Sequence, residues 1–387
     1  MSKLKIHAGI NASASFHMAP IAIAGAIPLA ITYYNVSPTF MQTIFMLPTL
    51  TAVPSSLLIG ALSRKTGKKL PLQIGILAML ISGLAVAAFN LPLAGIIIAM
   101  AVMGLGLGCL MTLNLGIIPD HFEAAEQGKA MAHVAAFANI GGMILSLLGG
   151  VLLAFGWQHM FWMFILAAPI IIINHITLPK EEITQTTEEV KGKIKLNTDV
   201  LFFCMTVFFI GLSFAIRNAN AGLLVEQHNL GDIAVANYAM TLWTAVGIVM
   251  GFIYGVMAKI FKQAILPIAI GVFAVGMALM GNATAIWVFY LGNLLSGMGI
   301  ATVMPTILSK SSQSVDATSA TFVISLIFAT LNIAGFVAPA LVNTIARTIA
   351  TETAQVCFNI GAISLVPICL FAIFRIYMQK SQVSLDN

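Results

Sequence analysis

The sequence contains little charge for its length. Only 8% of its 387 residues are Asp, Glu, Lys or Arg, while 59% are hydrophobic and the mean hydropathy is +1.00. Soluble domains carry about 25% charged residues, so this chain has too few charges to cover a water-soluble fold. We therefore expect a protein solvated by a lipid bilayer. We do not interpret its net charge of +5 as evidence of nucleic-acid binding.

Cysteines and enzyme motifs are also scarce. The four cysteines lie in apolar runs without CxxC spacing, as expected of small buried apolar side chains. No His-Glu-x-x-His or Gly-x-Ser-x-Gly sequence occurs, and residues 60–69 lack the spacing of a phosphate-binding loop. These absences lead us to expect no enzymatic activity, no metal and no cofactor.

Twelve long apolar stretches dominate the chain, and each is long enough to cross about 30 Å of hydrocarbon as a helix. The predicted helices 1 to 12 cover residues 8–31, 38–62, 70–89, 93–118, 130–155, 160–178, 200–225, 233–258, 264–281, 285–308, 317–346 and 353–377. The pattern is interrupted once, by a polar segment at 179–199 that we interpret as a cytoplasmic linker.

The basic residues fall in every second loop. If the N-terminus is cytoplasmic, all of the 18 Lys and Arg residues except Arg217 and Arg347 lie inside. This is the positive-inside bias of a multi-pass membrane protein. It predicts a protein of the cytoplasmic membrane with both termini in the cytoplasm.

Weak internal matches relate the two halves. Residues 139–142 (NIGG) correspond to 332–335 (NIAG), and residues 103–106 (MGLG) to 296–299 (SGMG). These matches in equivalent helices predict two six-helix units. We expect an N-terminal bundle at 1–178, a linker at 179–199, and a C-terminal bundle with a short tail at 200–387.

Residues 60–69 read GALSRKTGKK and join predicted helices 2 and 3. They resemble the major facilitator superfamily motif G-x-L-a-D-r-x-G-r-k, with Ser63 in place of its Asp, and a degenerate copy occupies residues 255–262. The resemblance implies an all-α membrane protein with twelve transmembrane helices in two pseudo-symmetric bundles. It also implies a conformational switch whose basic side chains meet helix C-termini and acidic groups across the half–half interface, or else charges that only anchor topology. The motif residues are Gly60, Arg64, Gly67, Lys68, Gly255 and Lys259.

In this family helices 1, 4, 7 and 10 line a central cavity. The resemblance therefore implies a substrate-binding set of polar residues: Arg217, His17, Asn114, Asn218, Asn220 and Asn293. Arg217 stands out because a guanidinium deep in a bilayer is costly and normally faces a polar cavity. Its planar fork suits a carboxylate or phosphate, although an outer-interface position or a structural pair with Glu226 would also explain it.

No carboxylate falls in the predicted membrane core. All but Glu226, Asp232 and Glu352 of the 13 acidic residues lie in predicted cytoplasmic segments. Proton coupling would then use His17, whose pKa can fall in the working range, or Glu226 and Asp232 at the outer helix ends. A structural histidine and solvated loop carboxylates explain these residues equally well.

The sequence thus predicts secondary transport by alternating access. We expect a small polar, anionic organic solute as the substrate, and both proton-coupled transport and uniport remain open. A multidrug exporter of the same superfamily is the alternative, supported by 21 Met and 24 Phe. The expected partners are this solute and the lipid bilayer, with no nucleic acid, and we expect a monomer.

Overall fold

The computed structural model describes residues 3–179, 198–232, 234–315, 317–349, 351 and 353–385. Every regular element in these ranges is helical. The α-helices are α1 (Lys3–Ala14), α2 (Ala19–Ala22), α3 (Ile27–Tyr34), α4 (Pro38–Thr66), α5 (Lys69–Ala88), α6 (Leu93–Gly116), α7 (Ile118–His121), α8 (Ala124–Leu153), α9 (Ala167–Thr177), α10 (Thr198–Gln227), α11 (Val235–Phe261), α12 (Ile265–Gly281), α13 (Ile286–Gln313), α14 (Ala317–Ile349) and α15 (Ala354–Leu385). Short 3₁₀ segments occupy Ile23–Ala26, His159–Leu166 and Lys262–Ala264.

Eleven segments of the described chain are long and apolar enough to cross a membrane. One of them, Val235–Gly281, has 47 residues and contains both α11 and α12. Lys262 separates these two helices with a φ of 49°, a conformation that residues other than glycine adopt rarely. The predicted twelve-helix membrane fold is therefore confirmed, and the predicted loop between helices 8 and 9 is a single tight turn. Most of the predicted linker, residues 180–197, lies outside the described residues.

The chain divides into two compact units. The first contains Met1–Glu188 and Asp232–Thr244, and the second contains Glu189–Gly231 and Ala245–Asn387. The first unit thus includes the beginning of α11, which our sequence division assigned to the C-terminal bundle. Gly25 makes this packing close, because a Cβ there would lie 2.6 Å from Asn237 Oδ1.

Predicted helix 1 is broken rather than continuous. A turn at 15–18 separates α1 from α2, and the 3₁₀ segment Ile23–Ala26 precedes α3. Pro20 and Pro28 stand at the starts of α2 and α3. Proline has no N–H group to donate to the carbonyl four residues earlier. The two breaks therefore follow from the two prolines, which the apolar pattern alone did not reveal.

Glycines bring α6 into close contact with its neighbours in the first unit. A Cβ on Gly104 would lie 2.3 Å from Pro48 O in α4, and one on Gly106 would lie 2.4 Å from Gly75 O in α5. These glycines therefore act as packing notches that let neighbouring helices approach closely. Gly251 and Gly255 make no comparable contact, because no described atom beyond their own helix backbone lies within 4 Å of a Cβ on either.

Candidate functional site

Arg217 lies in the second half of α10 and is only 2% exposed. Its Nη1 donates a hydrogen bond to Asn218 Oδ1 at 2.7 Å, and its Nε donates to Asn293 Oδ1 at 3.2 Å. Nη2 donates to the same Asn293 oxygen. A buried charge is tolerated only when it is hydrogen-bonded, and these amide oxygens satisfy part of that requirement. The two asparagines therefore fix the orientation of the guanidinium.

The partner Asn293 comes from α13 and is completely buried. The 76-residue separation between Arg217 and Asn293 is bridged by the packing of α10 and α13 within the second unit. Asn293 O in turn accepts a 2.8 Å hydrogen bond from Ser296 Oγ. The structure thus brings together three of the six predicted substrate-binding residues. The structure does not support the alternative, a structural ion pair between Arg217 and Glu226. Glu226 is exposed near the end of α10, whereas Arg217 is buried.

Asn220 and Asn114 are both buried, at 2% and 3% exposure. Asn220 Nδ2 donates to Ile216 O at 3.1 Å, so this amide contacts its own helix. Asn114 is in α6 of the first unit, and its Oδ1 accepts no hydrogen bond from any described residue. A buried acceptor without a donor costs about 1–3 kcal/mol. Among the predicted substrate-binding residues, Asn114 is therefore the one whose side-chain oxygen most clearly lacks a hydrogen-bond donor.

His17 lies within the break between α1 and α2 and is half-buried. This break packs directly on α8, because a Cβ on Gly141 would lie 1.7 Å from Ser15 O. Irregular backbone at membrane depth is tolerated where it is buried in protein or lines a cavity. The structure thus places His17 on a non-helical segment, a feature that our prediction of a continuous helix 1 missed and that Pro20 could have revealed.

Glu226 and Asp232, the acidic candidates for proton coupling, flank the connection between α10 and α11. Both side chains are exposed. Asp232 Oδ1 accepts a 3.0 Å hydrogen bond from the backbone N–H of Ala234, the residue immediately before α11. The structure therefore gives Asp232 a local contact with the connecting backbone between α10 and α11. Glu352, the third outer acid, lies outside the described residues.

The loop motif between α4 and α5 joins helix ends within the first unit. Lys68 Nζ donates to Gly116 O at 2.6 Å, at the end of α6, and forms an ion pair with Asp120. Lys69 Nζ donates to His175 O and Leu178 O, at 2.7 and 2.6 Å, at the end of α9. Cations at helix C-termini bind the terminal carbonyl groups and complement the helix dipole.

Lys68 thus has an acidic partner, Asp120, even though position 63 of the motif is a serine. Sequence reasoning missed it because it lies 52 residues from Lys68. Gly67 has a φ of 74°, which glycine adopts without strain, and the turn it makes brings the two lysines to the helix ends. The side chain of Arg64 and the surroundings of Gly60 lie outside the described residues. In the second copy, Gly255 and Lys259 are exposed.

Comparisons with known proteins agree with this architecture. The model of the Major Facilitator Superfamily matches residues 10–339. The inner membrane transport protein YajR of Escherichia coli is 25% identical over 309 residues, which cover 74% of this chain and 63% of YajR. The chain thus spans less than two thirds of that relative. The riboflavin transporter RibZ of Clostridioides difficile is 28% identical over 137 residues, 35% of this chain and 30% of RibZ.

Solved structures show the same fold. A D-xylose-proton symporter superposes with a TM-score of 0.77, covering 96% of this chain and 97% of the symporter, at 15% sequence identity. At that identity the likeness establishes the fold and leaves the substrate unassigned.

Proposed function

The chain belongs to the Major Facilitator Superfamily, and we propose that it transports a small, negatively charged organic solute that binds at Arg217. As a transporter of this superfamily it works by alternating access. The observation that carries the proposal is a buried guanidinium held by Asn218 and Asn293. A buried guanidinium costs free energy that an apolar side chain at the same position would not cost.

The chemistry of the site favours an anion. Guanidinium binds carboxylate or phosphate through charge-assisted hydrogen bonds that are about twice as strong as neutral ones. The surrounding amides add donors and acceptors for the polar groups of a small solute. Asn220, Asn114 and His17 are the other proposed substrate contacts, and the unsatisfied Oδ1 of Asn114 suits a hydroxyl or amine donor on the solute.

Burial of Arg217 fits an alternating-access cycle. At 2% exposure the guanidinium is closed off from solvent in this conformation, so a solute reaches it only after the helices around it rearrange. We propose that the loop motif controls this rearrangement, with Lys68 binding the end of α6 in one state. Gly60, Arg64, Gly67, Gly255 and Lys259 are proposed to act with it.

The test is a thermal-shift screen of the purified chain in detergent with small organic anions, neutral polar solutes and lipophilic cations. An anion at 100 times its Kd should stabilise the wild type by about 2.7 kcal/mol. Arg217→Gln should weaken its binding roughly 10- to 150-fold, the equivalent of about 1.5–3 kcal/mol. Arg217→Lys should retain part of the binding.

Arg347→Gln is the matched control, because it makes the same substitution at an exposed helix end in the same unit. Its anion binding should equal that of the wild type. Equal anion binding by Arg217→Gln and wild type would refute the proposal. Stabilisation by lipophilic cations in both proteins would instead favour multidrug export.

Proton coupling is proposed to run through His17. Uptake of the identified anion into proteoliposomes should then fall when the pH gradient is collapsed, and His17→Gln should abolish that dependence. Gradient-independent uptake by the wild type would exclude coupling while leaving anion transport at Arg217 intact. We also propose a cytoplasmic-membrane location with both termini in the cytoplasm.

A further inference from the structure

A partly polar cavity lies at one end of the second unit, far from Arg217. It is a cleft of about 230 Å³ between the first turns of α10, the start of α12 and the last turns of α13 and α15. Asp199, at the α10 end of this cleft, precedes Arg217 by eighteen residues, or about 27 Å along a helix. The cleft is therefore separate from the proposed substrate site.

Two basic side chains, Lys310 and Arg375, line the cleft. Arg375 is already engaged, because it forms an ion pair with Asp199 and its guanidinium lies 4.5 Å from the centroid of the Phe202 ring. Lys310 is half-buried. Within the described part of the chain, no hydrogen bond or ion pair involves its Nζ. A partly buried ammonium beside a guanidinium favours an anionic ligand.

The other walls of the cleft are apolar. Phe202, Leu266, Pro267 and Ala372 line it beside the charges. The cleft also lies where apolar spans end, since the membrane-compatible part of α13 stops at Ser311, one residue after Lys310. Basic side chains at this depth extend toward the headgroup region, with their stems against apolar surface.

We propose that this cleft binds the phosphate of an acidic phospholipid, with Lys310 as its main charge contact. A phosphate diester matches the ammonium of Lys310 and the amide donor of the exposed Gln263 at the rim. The lipid's acyl chains match the apolar wall. A soluble phosphate shares the headgroup chemistry but would leave the apolar wall uncovered, so the lining of the cleft favours the lipid.

The test is native mass spectrometry of the full chain in neutral detergent, titrated with phosphatidylglycerol or with phosphatidylcholine of the same acyl chains. The wild type should bind phosphatidylglycerol in preference. Lys310→Gln should weaken phosphatidylglycerol binding about fivefold. It should weaken phosphatidylcholine binding less, because the choline ammonium offsets the charge of that phosphate. Lys310→Arg should retain the preference.

Lys262→Gln is the matched control, since it removes an equal charge from an exposed residue of the same unit that does not line the cleft. Equal effects of Lys310→Gln and Lys262→Gln would overturn the site. If Lys310→Gln does not fold, Gln263→Glu should lower phosphatidylglycerol affinity by adding a negative charge at the rim, and unchanged affinity would overturn the site. Inorganic phosphate that binds in a Lys310-dependent manner, with no preference between the two lipids, would overturn the lipid assignment.

Discussion

Gly141→Ala should destabilise the first unit by forcing apart the break in helix 1 and α8. A Cβ at this position would lie 1.7 Å from Ser15 O and 2.4 Å from the Ser15 carbonyl carbon. Comfortable contacts of this kind are about 3.5 Å long, so one backbone must move by roughly 1.8 Å. Because both obstacles belong to the backbone, no side-chain rotation relieves them.

Overpacking typically costs 1–3 kcal/mol, and a backbone clash places this substitution near the upper end, at about 3 kcal/mol. For a unit of about 200 residues, 1 kcal/mol corresponds to roughly 2–4 °C in Tm. We therefore expect Gly141→Ala to lower the Tm by about 6–12 °C, measured by thermal unfolding in detergent. Transport should also fall at temperatures where the variant is folded, since His17 lies two residues beyond Ser15.

Gly251→Ala is the control, because it is an equivalent substitution inside a helix with no described atom within 4 Å of the new Cβ. Its Tm should equal or slightly exceed that of the wild type, as Ala favours helix more than Gly does. A Gly141→Ala variant with a Tm within about 2 °C of the wild type would refute the close contact between Ser15 and α8.

Two further predictions concern ion pairs of the first unit. Lys68→Met should lower the Tm and alter the rate of transport without changing which solutes bind. Asp120→Asn should reproduce only part of this effect, because the hydrogen bond from Lys68 to Gly116 O at the end of α6 remains. An unchanged transport rate in Lys68→Met would contradict the switch role. The hydrogen bond from Lys3 lowers the pKa of Glu126 below its ordinary value of 4.5, so the contact stabilises the fold above that pH and is lost as the pH falls through the lowered pKa. The Tm difference between wild type and Glu126→Gln should therefore shrink as the pH decreases from 7 to below 4; a constant difference would contradict this.

The apolar pattern predicted the helices well because each one must be long and apolar enough to cross a bilayer. Their irregularities were harder to predict. The breaks in helix 1 depend on Pro20 and Pro28. A hydropathy pattern does not detect them, because it scores how apolar a segment is and not whether its helix is continuous. The turn between α11 and α12 depends on the positive φ of Lys262. Lysine is not a residue type that predicts a turn in a sequence.

Candidate site residues stood out by residue type, whereas their hydrogen-bond and ion-pair partners did not. Arg217 was conspicuous as a charge in an apolar run, but its pairing with Asn293 depends on how α10 and α13 pack. Likewise, Ser63 suggested a motif without its acid, and only the fold showed that Asp120 meets Lys68. Contacts between residues so far apart in sequence follow from three-dimensional packing, which no local pattern contains.

The lysine contacts at the helix ends also set an order of assembly during synthesis. Lys68 can bind Asp120 once 52 further residues have been made, whereas Lys69 must await Leu178, 109 residues later. At about 5–20 residues per second, the second contact becomes available roughly 5–20 s after its lysine is made. A nascent chain that stops after α7 thus has the residues for only the first contact, and the first unit gains the second only when α9 is complete.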